Sequence, residues 1–271
     1  MNENVRRLWE YLHENSETTP VYRSALEALE SSLSPDEVSS VVREATPTAY
    51  ATRFEVPHLS SPAVATFIGE IAATQKPKSI LDPVCGTGIL LSTVADSTGA
   101  TVVHGVEIDE NIARAAEVLL GGGASIWVGD SLHADLPLGA SYDLIVAEPP
   151  FGVRMTTPVA VKGTNTAVGG DFTDVLAAWA ASKLSEVGMA VLILPPSFLW
   201  STRSEQAKNA IADLGCAVTA CIHLPSESLQ GTGMEAYIAI IERSAEGEIF
   251  VGQYTADLAP VSYTHLTLPT N

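Results

Sequence analysis

From about residue 60 the chain switches regularly between two hydrophobic periods. Short apolar runs at Lys78–Leu81, Thr101–Ile108, Ser125–Val128, Leu144–Ala147, Met189–Leu194, Ala217–Leu224, Ala236–Glu242 and Ile249–Gln253 predict strands. Between them, Ser61–Thr74, Gly88–Asp96, Glu110–Leu120, Asp171–Leu184 and Ser204–Leu214 carry apolar residues at helical spacing. Alternation of this kind implies βαβ units, hence an α/β fold with a mostly parallel sheet and helices on both faces. Residues 1–50 read differently. Val5, Leu8, Trp9 and Leu12, then Val21, Ala25, Leu26 and Leu29, recur at helical spacing, and Ser34-Pro35-Asp36-Glu37 has the composition of a helix start. The expected organisation is a helical extension over 1–50, an α/β domain over 51–260 and a tail over 261–271. The tail, Val261 to Asn271, has neither period and resembles translated sequencing adapter, so it is expected to stand outside the fold.

Composition narrows the class. Apolar residues make up 46% and charged residues 17% of the 271, enough for a sizeable core and too apolar for general disorder. No apolar run approaches the roughly 18 residues of a membrane span, and the start lacks the apolar segment of a secretory signal. A cytoplasmic location without membrane contact is the expectation. Cys85, Cys216 and Cys221 form no CxxC pair, so neither a disulfide framework nor a metal site is expected, and they read as small buried apolar residues. The net charge of −18, with only 14 Lys and Arg, argues against this chain gripping a nucleic-acid backbone unaided. Residues 151–170 contain Arg154 and Lys162 and no acid, and Arg203 and Lys208 follow the next strand, so a local basic mouth on an acidic body is a second expectation.

The candidate chemistry sits where strands end. In an open parallel sheet the crevice beyond the carboxyl ends of the strands holds the ligand. Asp82-Pro83-Val84-Cys85-Gly86-Thr87-Gly88 joins a strand to a helix, and its glycines let a ligand approach backbone N–H groups at the helix start. The residue three after Gly88 is Leu91, so the G-x-G-x-x-G dinucleotide fingerprint is incomplete, and a plain tight turn also fits. Glu107 lies 19 residues after Gly88 at the next strand end, placed to accept from a ribose diol. Asp130, followed by Ser131, ends the third strand and can accept from an adenine amine. Each acid alone also reads as a helix cap or surface charge; three acids at three successive strand ends make a less accidental set. The fourth strand ends in Glu148-Pro149-Pro150-Phe151, a rigid polar-Pro-Pro-aromatic step suited to holding a flat group.

Taken together these segments resemble the class I S-adenosylmethionine-dependent methyltransferases, and among them the adenine-specific DNA methylases of the type I restriction-modification M-subunit kind. Asp82 to Leu91 is similar to that group's cofactor motif. Phe54-Glu55-Val56-Pro57 is similar to its F-x-T-P segment, with Val56 in place of Thr. Phe172 to Leu176 through Gly188 to Pro195 resembles its fifth-strand unit, and Cys221 to Pro225 with Gly231-Thr232-Gly233 resembles its late I-x-L-P…G-T-G segment. The resemblance runs from about residue 50 to 245. It implies a Rossmann-like seven-stranded sheet and S-adenosylmethionine as cofactor, held by Phe54, Pro57, Asp82, Cys85, Gly86, Thr87, Gly88, Glu107, Ile108, Asp130 and Ser131. It implies methyl transfer to the exocyclic amine of adenine in DNA, with Glu148, Pro149, Pro150 and Phe151 as the catalytic corner. DNA would be read by a specificity subunit or a recognition region outside this segment.

One residue departs from the pattern. The family has Asn or Asp where this chain has Glu148, one methylene longer and fully charged. That leaves open a working site of altered shape or a cofactor-binding scaffold with impaired transfer. A methyltransferase for RNA or for protein glutamine is a further alternative, because planar amides and exocyclic amines present similar geometry and the acidic charge suits a protein substrate. Every version requires the tips of the first and fourth strands to be neighbours.

Overall fold

The computed structural model describes residues 59–133, 135–230, 234–243, 249–255 and 264–266. Phe54, Pro57, the 1–50 extension and the Gly231-Thr232-Gly233 segment lie outside the described residues.

The chain order is β1 (Leu59–Ser60), α1 (Pro62–Ala73), β2 (Ser79–Asp82), α2 (Ile89–Thr98), β3 (Val102–Glu107), α3 (Glu110–Leu120), β4 (Ser125–Val128) and β5 (Tyr142–Ala147). It continues with β6 (Arg154–Ala160), β7 (Ala167–Asp171), α4 (Phe172–Ser182), β8 (Leu184–Leu194), α5 (Pro196–Trp200), α6 (Glu205–Asp213), β9 (Cys216–Leu224), β10 (Leu229–Gln230), β11 (Ala236–Arg243), β12 (Ile249–Gln253) and β13 (Thr264–Leu266). The main sheet runs β13-β12-β9-β11-β8-β5-β2-β3-β4. From β8 to β4 all pairings are parallel, whereas β11 is antiparallel to both of its neighbours. Eight strands between residues 79 and 253 make up this sheet, one more than the seven expected, because β12 adds parallel to β9 beyond the reversed β11. Thr264–Leu266, from the tail expected to lie outside the fold, pairs antiparallel with β12 at the sheet edge.

The side chains of β5 show why this strand is central. Leu144 and Val146 enter the core shared with α1 and α2, while Ile145 and Ala147 enter the core shared with α4 and α6. All four are fully buried, which explains why the strand reads as a continuous apolar run. Burial of each of the larger ones contributes roughly 1.5–3 kcal/mol. Asp143 fixes the register. Its Oδ2 accepts from the amides of Lys78 (3.0 Å) and Ser79 (3.3 Å), and its Oδ1 accepts from Ser185 Oγ (3.0 Å). One carboxylate thereby ties the approach to β2, β5 and β8 together.

Helix α1 begins as its sequence dictates. Ser61 Oγ accepts from the Val64 amide (3.3 Å), and Pro62 occupies the first turn, where a missing N–H costs nothing. The hairpin β6–β7 has no counterpart among the predicted elements. Its strands pair antiparallel with an irregularity between Met155 and Val159, and only Val159, Val161 and Val168 are buried. Three buried valines in twenty polar and glycine-rich positions give too weak a period to read as strands.

Candidate active site

Strands β2 and β5 are adjacent and parallel, with Ile80 opposite Leu144 and Leu81 opposite Ile145. The two tips named in the sequence therefore lie side by side at the carboxyl edge of the sheet. Asp82 is almost wholly buried, and its Oδ1 accepts from the Val84 amide (3.0 Å). Burial, with smaller contributions from the nearby Glu148 and Glu107, pushes its carboxyl up to about 8 against the Val84 bond.

The loop after β2 is shaped by two left-handed glycines, Gly86 (φ 55°) and Gly88 (φ 83°). A Cβ on Gly88 would lie 3.0 Å from Ala116 Cβ, so this glycine lets α3 approach α2. A Cβ on Gly86 would meet nothing within 4 Å, so this glycine faces open space. Between them Thr87 is buried. The Cys85 amide donates to Val106 O (2.8 Å), and burial beside Asp82 and Glu107 pushes the Cys85 thiol well up. A neutral packing role follows, as the sequence suggested, rather than a nucleophilic one.

Glu107 braces the same loop. Its Oε2 accepts from the Gly86 amide (3.0 Å) and its Oε1 from the Asp109 amide (2.9 Å). Burial raises its carboxyl above the usual range, against hydrogen bonds from the Asp109, Ile108 and Gly86 amides. Three amides on two oxygens leave one of the carboxylate's acceptor sites for a hydroxyl. Ile108, next along, is 71% exposed, an apolar surface at the rim of the crevice. The Gly129 amide donates to Glu107 O (2.9 Å) and brings the β4 end alongside. There Asp130 Oδ1 accepts from the Leu132 amide (2.9 Å), Oδ2 pairs with His133 Nδ1 (2.9 Å), and Ser131 is buried.

The fourth-strand corner holds the least expected feature. Glu148 Oε2 accepts from the Ser60 amide at 2.9 Å, while Oε1 is buried without a partner. Burial pushes this carboxyl up to about 7, opposed by the Ser60 amide and hydroxyl. The hydroxyl stands beside the carboxylate without meeting hydrogen-bond geometry, and Ser60 Oγ is itself buried and unpartnered. Pro149 is buried, and Phe151 packs partly buried against the α1–α2 core. Ser60 was not legible as a site residue. It arrives because β1 pairs with β10, Leu59 opposite Gln230 and Ser60 opposite Leu229, and no local pattern announces a two-residue strand.

Two residues of the expected basic mouth are engaged within the chain. Arg154 pairs with Asp171 (3.3 Å), and Lys208 Nζ donates to Leu199 O (2.8 Å). Lys162 lies at the hairpin tip, where Gly163 abuts Leu214 at the far end of α6. Burial lowers the pKa of Lys183, and the charge of Lys162 lowers it further.

Comparison with known proteins fits this geometry. The family profile described as N-6 DNA Methylase matches residues 60–258. The chain belongs to the N-6 DNA methylase family. A curated relative, the type II methyltransferase M.CvrRI of Paramecium bursaria Chlorella virus XZ-6E, is 30% identical over 186 residues, covering 66% of this chain and 46% of that protein. The chain thus spans less than half the length of that relative. Among solved structures, a Listeria monocytogenes protein assigned to the class I S-adenosylmethionine-dependent methyltransferases superposes with a TM-score of 0.72 at 15% identity, covering 95% of each chain. The type I restriction-modification methyltransferase subunit from Streptococcus thermophilus superposes with a TM-score of 0.69 at 14% identity, covering 86% of this chain and 55% of that one. These likenesses establish the class I methyltransferase fold. Among the described residues, no helix is long and apolar enough to cross a membrane, and no group of three His, Cys, Asp or Glu side chains is placed to hold a metal ion.

Proposed function

We propose that this N-6 DNA methylase family chain transfers a methyl group from S-adenosylmethionine to the exocyclic amine of adenine in DNA. The observation that carries the reading is the adjacency of the β2 and β5 tips, with Glu148 near enough for its charge to help raise the Asp82 carboxyl.

The crevice fits the cofactor on three counts. Gly86 leaves open space above a loop of backbone amides, Glu107 offers a remaining lone pair on a braced carboxylate, and Ile108 offers an exposed apolar surface. Asp82 and the Gly86–Gly88 loop would face the methionine part, Glu107 the ribose, and Ile108 with Asp130 and Ser131 the adenine. Bound there, S-adenosylmethionine supplies an electrophilic methyl group whose sulfur departs as a neutral thioether, so metal assistance is not called for. The chain's own work is positioning and electrostatics. Glu148 Oε1, a buried acceptor without a protein donor, is placed to take an N–H of the target amine, while the two prolines hold the backbone rigid. Phe151 supplies an aromatic surface for the base, which must leave its duplex to reach the crevice.

The charge of −18 and the resemblance to restriction-modification methyltransferase subunits support a chain that works beside a DNA-reading subunit or recognition region. The test is transfer of labelled methyl to unmethylated DNA by the chain alone and with proteins encoded beside it. Label in DNA, on adenine N6, is the expected result. Label in RNA or in protein glutamine transfers the reading to that substrate. If no substrate is labelled by the native chain but Glu148→Asn restores labelling of DNA, the chain is an impaired scaffold.

A further inference from the structure

Two buried polar atoms at the catalytic corner, Ser60 Oγ and Glu148 Oε1, have no hydrogen-bond partner. Buried polar groups are nearly always satisfied, and each exception calls for an explanation. These two exceptions belong to residues already joined by a 2.9 Å bond, the Ser60 amide to Glu148 Oε2. The Ser60 hydroxyl is near enough to the carboxyl to lower its pKa, yet it meets hydrogen-bond geometry with neither oxygen.

Their chemistry is complementary. Ionised Glu148 Oε1 only accepts; a serine hydroxyl can donate. A planar ring bearing an exocyclic amine presents the matching edge, with an N–H that donates and a neighbouring ring nitrogen that accepts. We propose that Ser60 is a second substrate contact, its hydroxyl donating to the ring nitrogen neighbouring the target amine while that amine donates to Glu148 Oε1. The inference rests on the reading of the corner given above and deepens it, because it makes the site a reader of a donor–acceptor edge rather than of an amine alone.

The backbone supports a placement that is rigid. Ser60 is fixed opposite Leu229 in the β1–β10 pair, and the Ser61 amide donates to Ser228 O (3.2 Å). Ser61, next in sequence, caps α1. The hydroxyl is thus presented by a segment tied on both sides. A site whose buried polar groups are built for a donor and an acceptor also rejects a ligand lacking either, since one group is then left unpaired.

The test uses the full chain with sinefungin, a cofactor analogue that cannot methylate, and NMR-detected titration with free adenine, 1-deazaadenine and 7-deazaadenine. Each deaza base replaces one ring nitrogen by C–H. Wild type is expected to bind adenine about tenfold tighter than one of the two analogues, the size of a lost hydrogen bond. Ser60→Ala is expected to bind that analogue and adenine within about twofold of each other, and Ser60→Thr, which keeps the hydroxyl, to restore the discrimination. Equal binding of all three bases by wild type, no binding of adenine, or unchanged discrimination in Ser60→Ala overturns the proposal. Discrimination that depends on Ser60, with no label transferred to DNA, upholds the edge contact and refutes the DNA substrate instead.

Discussion

Ser60 and Glu148, 88 positions apart in sequence, meet through a 2.9 Å bond from the Ser60 amide to Glu148 Oε2. The bond gives the extra methylene of Glu148 something to do. One oxygen is anchored to β1, and the other, buried without a partner, is free for the acceptor role we propose.

An acceptor must be deprotonated on the oxygen that receives the amine. Burial holds the Glu148 carboxyl up to about 7, so below that pH Oε1 carries a proton and competes as a donor. We therefore expect kcat/KM for methyl transfer to rise with pH with a slope near one and to level off above about pH 7. Glu148→Gln removes this titration and should abolish the rise centred on about pH 7, with rates lowered by about a hundredfold. Initial rates between about pH 5 and pH 9 measure both; a wild-type profile as flat as that of the variant contradicts the role given to Glu148.

The same shifts bear on stability with the opposite sense. Asp82 and Glu148 have folded values of about 8 and about 7 against ordinary values of 3.8 and 4.5. Between those limits the folded state holds more protons than the unfolded state, so stability falls as pH rises from about 4 to about 8. The cofactor-free protein should be more stable to denaturant at about pH 5 than at about pH 8. Glu148→Gln should come close to wild type at the lower pH, where both folded side chains are neutral, and exceed it by more at the higher one. Equilibrium urea unfolding at the two pH values checks the sign.

Gly86 and Gly88 separate structure from function within one loop. Both have positive φ, so alanine strains the backbone at either position by about 1–2 kcal/mol. At Gly88 the new methyl also meets Ala116 Cβ at 3.0 Å and Ala116 Cα at 3.1 Å, and overpacking of this kind costs a further 1–3 kcal/mol or so. At Gly86 it enters open space in the crevice. Gly88→Ala should lower the thermal midpoint more. Gly86→Ala should lose S-adenosylmethionine affinity in calorimetry out of proportion to its small loss of stability. Equal affinities in the two variants would remove Gly86 from the cofactor site.

What could be read in advance follows from how local each signal is. The strands β2, β3, β4 and β5 are apolar runs ended by polar or glycine residues, and Glu107 and Asp130 mark their tips, so the crevice and most of its rim were visible before any coordinates. The seven-strand expectation missed the addition of β12 beside β9, because strand order is a matter of pairing between distant segments. The hairpin β6–β7 was hidden by its sparse apolar content. Ser60 was invisible for the strongest reason: its contact with Glu148 depends on β1 finding β10, a pairing of two residues with two others that leaves no periodicity to detect.

Glu107 offers the sharpest test of the cofactor crevice, because both its oxygens already work. Oε2 holds the Gly86 amide and Oε1 the Asp109 amide, so the carboxylate sets the position of the glycine loop and of the β3 end at once. Glu107→Gln keeps the size of the side chain but only one oxygen, and its NH2 group then faces an amide N–H that it cannot accept from. One of the two braces is lost, together with an acceptor for the ribose hydroxyls. We expect S-adenosylmethionine affinity to fall by about ten- to a hundredfold, the size of one or two charge-assisted hydrogen bonds. Glu107→Asp keeps two acceptors on a shorter arm and should lose affinity as well, since it cannot span from β3 to the Gly86 amide. Calorimetric titration of the three proteins decides the matter, and a Glu107→Gln protein that binds cofactor as tightly as wild type would show that the ribose is held elsewhere.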